Sequence, residues 1–160
     1  MHTEILSETQ LQLFPVLRGA RRRGFYLVWE TAIALHLGHR ESIDFDLFRA
    51  KNFSSNTVHA ILCNAKVSWQ VLHIHEEGQY TWVIQDVKTT FFYYPFPIET
   101  PIDIEGVIKI PDLLTLAAMK AYAMGRMAKW KDYVDLYFII RDHYTIPTIC
   151  EHAKSIFYAF

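Results

Sequence analysis

Cysteine is nearly absent from this chain: Cys63 and Cys150 are the only two in 160 residues. That excludes a disulfide scaffold and a paired-cysteine zinc site, and the apolar neighbours of both thiols predict reduced, buried side chains in a cytoplasmic protein. No apolar run approaches the ~20 residues that cross a bilayer, so no membrane span is expected. The first dozen residues have no basic start followed by an apolar stretch, so no secretory leader is read there. Neither sign of charge dominates, with a formal net charge of -1; bulk charge therefore points to no nucleic-acid or membrane partner. A Walker loop, a dinucleotide fingerprint and a serine-hydrolase elbow are all missing. Internal repeats, linkers and low-complexity tracts are missing too.

What the chain does have is core-forming material, 51% hydrophobic and 15% aromatic. At this length it suits one domain, or a small sheet domain with a helical extension packed on it. Ser7 and Gln10 have the spacing of a capping box, and Leu11, Phe14 and Leu17 continue at helical intervals until Pro15 divides the run. The aromatic and β-branched stretch 25–28 predicts a buried strand, 31–37 a helix ended by Gly38, and 43–48 an alternating, half-buried strand. A helix through Ala65 and strands over 67–74, 80–85 and 87–94 follow, with Gly78 at a turn and Pro95 and Pro97 closing the pairing region. Beyond Pro111 the pattern is helical, over 112–127, 131–141 and 146–157. The expected fold class is α+β: a mixed β-sheet flanked by helices over 1–108, then a helical part over 109–160.

Asp44 and Asp46 are the sharpest chemical feature. Two residues apart on a strand, they point to one face and repel unless a cation lies between them. Paired Mg²⁺ ions supply that charge in nucleotidyl transfer, while two solvent-facing acids of an edge strand are the plainer reading of an isolated Asp-x-Asp. A strand, a turn and a helix N-terminus immediately precede this pair, an arrangement that sets backbone N–H groups and a helix dipole against phosphate.

The stretch 25–48, with Leu37-Gly38-His39-Arg40 followed by Ser42-Ile43-Asp44-Phe45-Asp46, resembles the first motif of the AbiEii/AbiGii toxin-type nucleotidyltransferases. Lys120, Arg126 and the run Lys131-Asp132-Tyr133-Val134-Asp135 resemble the family's later Lys and Lys-Asp-x-x-Asp motifs. The strand 87–95, ending in Tyr94-Pro95, resembles a third. The resemblance implies a nucleotidyltransferase fold and transfer of a nucleoside monophosphate from an NTP, with Mg²⁺ held by Asp44 and Asp46. It implies phosphate neutralisation by Lys120 and Lys131, contacts from Thr31 and Arg40, and a catalytic part for Asp132. It also implies an RNA acceptor, notably tRNA, or a protein acceptor, in a toxin–antitoxin or phage-defence setting with an antitoxin partner. Asp132 and Asp135, three apart on a helix, serve either that machinery or a surface salt-bridge cluster.

The chain departs from the family at Trp29-Glu30, where two glycines are the rule. Glycine allows unusual backbone angles and close approach to phosphate; Trp adds bulk there and Glu adds negative charge. A relative without activity, a changed substrate, and a rearranged turn in which Glu30 ligates metal are the three readings of that change. A third carboxylate is absent from strand 87–94, leaving Asp86 and Asp132 as candidates. His73 and His75 share a strand face but lack a third metal ligand. The arginines at 18 and 21–23 form a solvated helix end or a phosphate contact, and the aromatics Phe157, Tyr158 and Phe160 serve a core or a self-association surface.

Overall fold

The computed structural model describes residues 1–75, 78–127 and 129–157, with side chains at 71–75 and 125–127 outside the description. The side chains of His73, His75 and Arg126, and residues Tyr158 and Phe160, therefore lie outside the described residues.

Two short helices open the chain, α1 (Glu8–Gln12) and α2 (Phe14–Arg21). The expected capping box holds the first: Ser7 Oγ accepts from the Gln10 N–H at 3.2 Å and the Gln10 side chain accepts from the Ser7 N–H at 3.0 Å. Pro15 divides them, in the first turn of α2, where its missing N–H costs nothing. Strand β1 (Tyr26–Val28) passes without a turn into α3 (Trp29–Leu37), and β2 (Phe45–Arg49) follows. Gly38 ends α3 at φ +63, and a Cβ there would sit 2.6 Å from the His2 ring.

After α4 (Ser55–Ala65) come β3 (Trp69–His75), β4 (Gln79–Ile84) and β5 (Val87–Tyr93). The five strands lie in the order β1-β2-β5-β4-β3. Only β2 and β5 run parallel, with Asp46 opposite Thr90; the other pairs are antiparallel, so the sheet is mixed as expected. A hairpin of β6 (Ile102–Ile104) and β7 (Ile108–Ile110), which the sequence pattern does not reveal, packs against β1 and α2. The chain finishes with α5 (Leu113–Met127), α6 (Trp130–Asp142) and α7 (Ile146–Ile156).

The core fills from both faces of the sheet. Leu27, Phe45, Leu47 and Phe91 in the strands, and Phe25 just before β1, are buried, while α2 and α4 meet so closely that a Cβ on Gly19 would lie 3.1 Å from Ile61. Helices α3, α5 and α6 pack against one another, and α7 packs on α5. Burying about 25 cal/mol per Å² of such apolar surface fixes the arrangement.

Two expectations need correction, and one open alternative is decided. Ile43 and Asp44 precede β2 rather than lie in it, and Ile43 is 64% exposed. Cys63 is exposed, not buried, because it falls on the outer face of α4; both thiols are free. Phe157 is core, stacked on Tyr122 at 4.2 Å between ring centres and edge-on to Phe96 at 4.9 Å, so it offers no surface.

Candidate functional site

A pocket of about 320 Å³ opens between the sheet and the C-terminal helices. Its floor is built by strand alternation: Asp46 and Phe48 from β2, Lys88, Thr90 and Phe92 from β5, and Gln79 and Thr81 from β4. Trp29 and Glu30 enter from the start of α3, Lys120 and Tyr122 from α5, and Lys129 and Asp132 from the start of α6. Aromatic walls around a few charged groups are the composition of a small-molecule site.

Asp46 lines the pocket from β2. Its carboxyl is pushed up to about 6, first by burial and then by the neighbouring negative charges of Glu30 and Asp44, with Lys129 and Lys88 pulling the other way. A half-buried carboxylate under the influence of two other acids is a place a cation fits. Among the described residues no group of three or more His, Cys, Asp or Glu surrounds one metal-sized point. Mg²⁺ does not require one, since it keeps several waters and binds through one or two carboxylates together with substrate phosphates. Asp46 would hold such an ion, with Glu30 as the acid that shares its pocket. Asp44 contributes charge from just outside the pocket wall.

The start of α3 explains the Trp29-Glu30 departure. Trp29 adopts φ +55, the left-handed region that glycine enters freely and a bulky residue enters at a cost of about 1–2 kcal/mol. The backbone at Trp29 thus holds a conformation that glycine would adopt without that cost. The Trp29 ring packs edge-on to Phe48 at 5.6 Å and lies 5.1 Å from the Lys120 ammonium. Glu30 sits in the first turn, where the helix dipole favours an acid. Its Oε2 lies 3.2 Å from Lys131 Nζ and 3.6 Å from Arg40 Nη2.

Behind the pocket, Asp135 gathers the basic residues. It is fully buried and accepts Arg40 in a two-pronged contact, Nε to Oδ1 at 2.9 Å and Nη2 to Oδ2 at 3.0 Å. His39 Nε2 lies 2.9 Å from the same Oδ1, and Lys120 Nζ is 3.3 Å from Oδ2. Burial works to raise this carboxyl, but His39, Arg40 and Lys120 together outweigh it and hold it below the usual carboxylate range. Lys120, itself 1% exposed, also pairs with Asp132, which accepts the Lys129 N–H at 2.8 Å at the start of α6.

The sequence-predicted residues therefore divide. Asp46, Lys120 and Asp132 meet in one pocket, 74 and 86 positions apart along the chain at most. Arg40 and Lys131 lie behind and beside it, tied to Asp135 and Glu30. The Thr31 hydroxyl, 1% exposed, donates to the Asp44 carbonyl and lies 2.8 Å from Ser42 Oγ, so it pins the 42–44 loop instead of facing the pocket. Asp86 is not part of the wall. Sequence reasoning passed over Lys88, Lys129, Gln79 and Thr81. The alternation Lys88, Thr90, Phe92 carried a signal for the first, since residues two apart share a strand face; Lys129 carried none.

Fold and site together place this chain among proteins with a nucleotidyltransferase-like fold. Over 86% of its length it superposes on a candidate nucleotidyltransferase from H. pylori, with a TM-score of 0.65, 19% identity and 71% of that chain covered. JHP933 from Helicobacter pylori matches over the same 86%, with a TM-score of 0.61, 19% identity and 68% of its chain. The chain is also 32% identical over 124 residues, 74% of its length, to the uncharacterized protein aq_aa25 of Aquifex aeolicus (strain VF5), and spans 59% of that relative. No protein-family profile matches it. No helix among the described residues is long and apolar enough to cross a membrane.

Proposed function

We propose that this protein is a Mg²⁺-dependent nucleotidyltransferase of the AbiEii/AbiGii type, moving a nucleoside monophosphate from an NTP onto an RNA, notably a tRNA, or onto a protein hydroxyl. The observation that carries the reading is Asp46: a half-buried carboxylate in an aromatic-walled pocket that Lys120 and Asp132 also line. Bound Mg²⁺ would neutralise phosphate charge and polarise the phosphorus that is attacked. The chain's own groups do the rest. Asp46 fixes the cation and the aromatic walls hold the base. Lys88 and Lys129, which also line the pocket and act on Asp46 from a distance, neutralise phosphate oxygens. Asp135 and Asp132 hold Lys120 in place, so its charge is positioned before substrate arrives. By analogy with the resembled family, the setting is a cytoplasmic toxin–antitoxin or phage-defence pair with an antitoxin partner.

One observation favours a second reading, a catalytically silent binding or regulatory module. Glu30 already occupies Lys131 and approaches Arg40, two cations that the family resemblance assigns to phosphate. Calorimetric titration of each NTP with and without Mg²⁺ separates the two. Mg²⁺-dependent NTP binding, and transfer of labelled nucleotide lost in Asp46→Asn, supports the enzyme. Absence of binding in the unaltered protein, even at millimolar NTP and Mg²⁺, sinks it.

A further inference from the structure

Helix α6 carries an exposed apolar stripe. Trp130, Tyr133, Tyr137 and Ile140 are 80%, 51%, 59% and 38% exposed. Their 3-4-3 spacing is that of a helix seam, and at 100° per residue they fall within an arc of about 80° on one face. Ile146, 59% exposed at the start of α7, extends the patch. Beside the stripe lies a groove of about 440 Å³ between α5, α6 and α7, lined by Met124, Tyr133, Tyr137, Ile140, Ile146 and Ile149 among others.

We infer that this face binds a second copy of the chain, α6 against α6 in antiparallel, two-fold register. The stripe is self-complementary in that register. Trp130 projects at the N-terminal end of α6, whereas the groove's Ile140 and Ile146 lie at the C-terminal end, about 15 Å further along the helix at 1.5 Å per residue. A two-fold axis crossing the stripe midway between Trp130 and Ile140 brings each Trp130 over the partner's groove, the reciprocal contact that a symmetric dimer requires. The one charge on the stripe's edge among the described residues is Arg141, which lies over the Tyr137 ring at 5.6 Å and is paired with Asp142, Nε to Oδ1 at 2.7 Å, so the pairing buries no unpaired ion.

The area agrees with a stable pair. Taking roughly 150–250 Å² for each whole side chain, the exposed fractions of the five residues leave about 600 Å² of apolar surface per copy, the upper limit for a patch on an ordinary monomer. Two such faces give about 1,200 Å², the threshold of specific stable interfaces, before the rim is added. The face lies apart from the carboxylate pocket, so the inference stands independently of the proposed chemistry.

Light scattering after gel filtration, and sedimentation equilibrium from 1 to 100 µM, test it. The expected mass is twice the 18.8 kDa of the chain. It falls to the single-chain value in Trp130→Glu and in Ile146→Glu, both exposed positions whose change leaves the fold intact by circular dichroism. Leu11→Glu, 43% exposed on the opposite end of the molecule, retains the doubled mass. Register is read by pairing Trp130→Cys with Ile140→Cys in a Cys63→Ser, Cys150→Ser background: mild oxidation cross-links the mixture between chains. A single-chain mass for the unaltered protein throughout the range overturns the inference, as does a doubled mass that survives both Glu variants.

Discussion

Asp46→Asn should make the ligand-free protein more stable at neutral pH, and the gain should vanish in acid. The reasoning starts from a carboxyl whose affinity for a proton is higher in the folded protein, about 6, than its ordinary 3.8, because burial and the charges of Glu30 and Asp44 oppose ionisation. Below pH 3.8 the group is protonated in both states and contributes no difference. Between 3.8 and about 6 the unfolded chain sheds its proton while the folded chain keeps it, so folded stability falls as pH rises. At ~1.4 kcal/mol per pH unit the full loss is about 3 kcal/mol above pH 6, and water entering the pocket reduces it to about 2 kcal/mol. Asn keeps the shape and removes the charge. Urea unfolding of both proteins at pH 4, 5, 6 and 7.5 should give curves that coincide at the lowest pH and separate by about 2 kcal/mol at the highest. The corresponding rise in melting temperature is roughly 4–8 °C for a chain of this size. Millimolar Mg²⁺ at pH 7.5 should then stabilise the Asp protein more than the Asn variant, closing the gap. Equal stability at pH 7.5, or the same gain at pH 4, would falsify the picture of a cation-seeking carboxylate.

Other perturbations probe the framework around that acid. Asp135→Ala strips His39, Arg40 and Lys120 of a shared buried partner and should cost about 3–5 kcal/mol in urea unfolding; a loss below 1 kcal/mol removes Asp135 as their organiser. Replacing both Trp29 and Glu30 by Gly should tighten Mg²⁺-NTP binding at least tenfold by calorimetry, because glycine suits the bend at φ +55 while a bulky ring and an acid leave; unchanged affinity removes these two side chains as the obstacle to phosphate. Gly38→Ala should cost about 1–2 kcal/mol by thermal unfolding, since the new Cβ takes a left-handed backbone and meets the His2 ring; a neutral result contradicts the φ +63 assignment. Thr31→Val should leave NTP affinity within about threefold while lowering stability by about 1 kcal/mol, because the hydroxyl fastens residues 42–44; lost affinity with full stability would return Thr31 to the phosphate.

Local patterns carry the elements whose residues agree with their own neighbours. The Ser7–Gln10 capping box, the helix ended by Gly38, the Pro15 break and the period-2 strands all depend on contacts a few residues apart, so composition and spacing expose them. The β6–β7 hairpin has only three residues per strand and leans on β1 and α2 for its burial, too little local signal to stand out. Asp44 misleads in the opposite direction: its Asp-x-Asp spacing is right for a strand, but the strand begins one residue later because Thr31 draws the Asp44 carbonyl into a side-chain bond.

By itself the sequence determined the mixed sheet followed by helices, the acid at position 46 and the lysine at position 120, because periodicity and residue type act locally. Tertiary structure alone decided which charges meet. It brought Glu30 to Lys131, Arg40 and His39 to Asp135, and Lys120 to both helix acids. It also decided that Asp46 lines the pocket while Asp44 stands outside its wall. Electrostatic energy depends on distance and burial, and neither is written in chain spacing once the partners are some 95 residues apart.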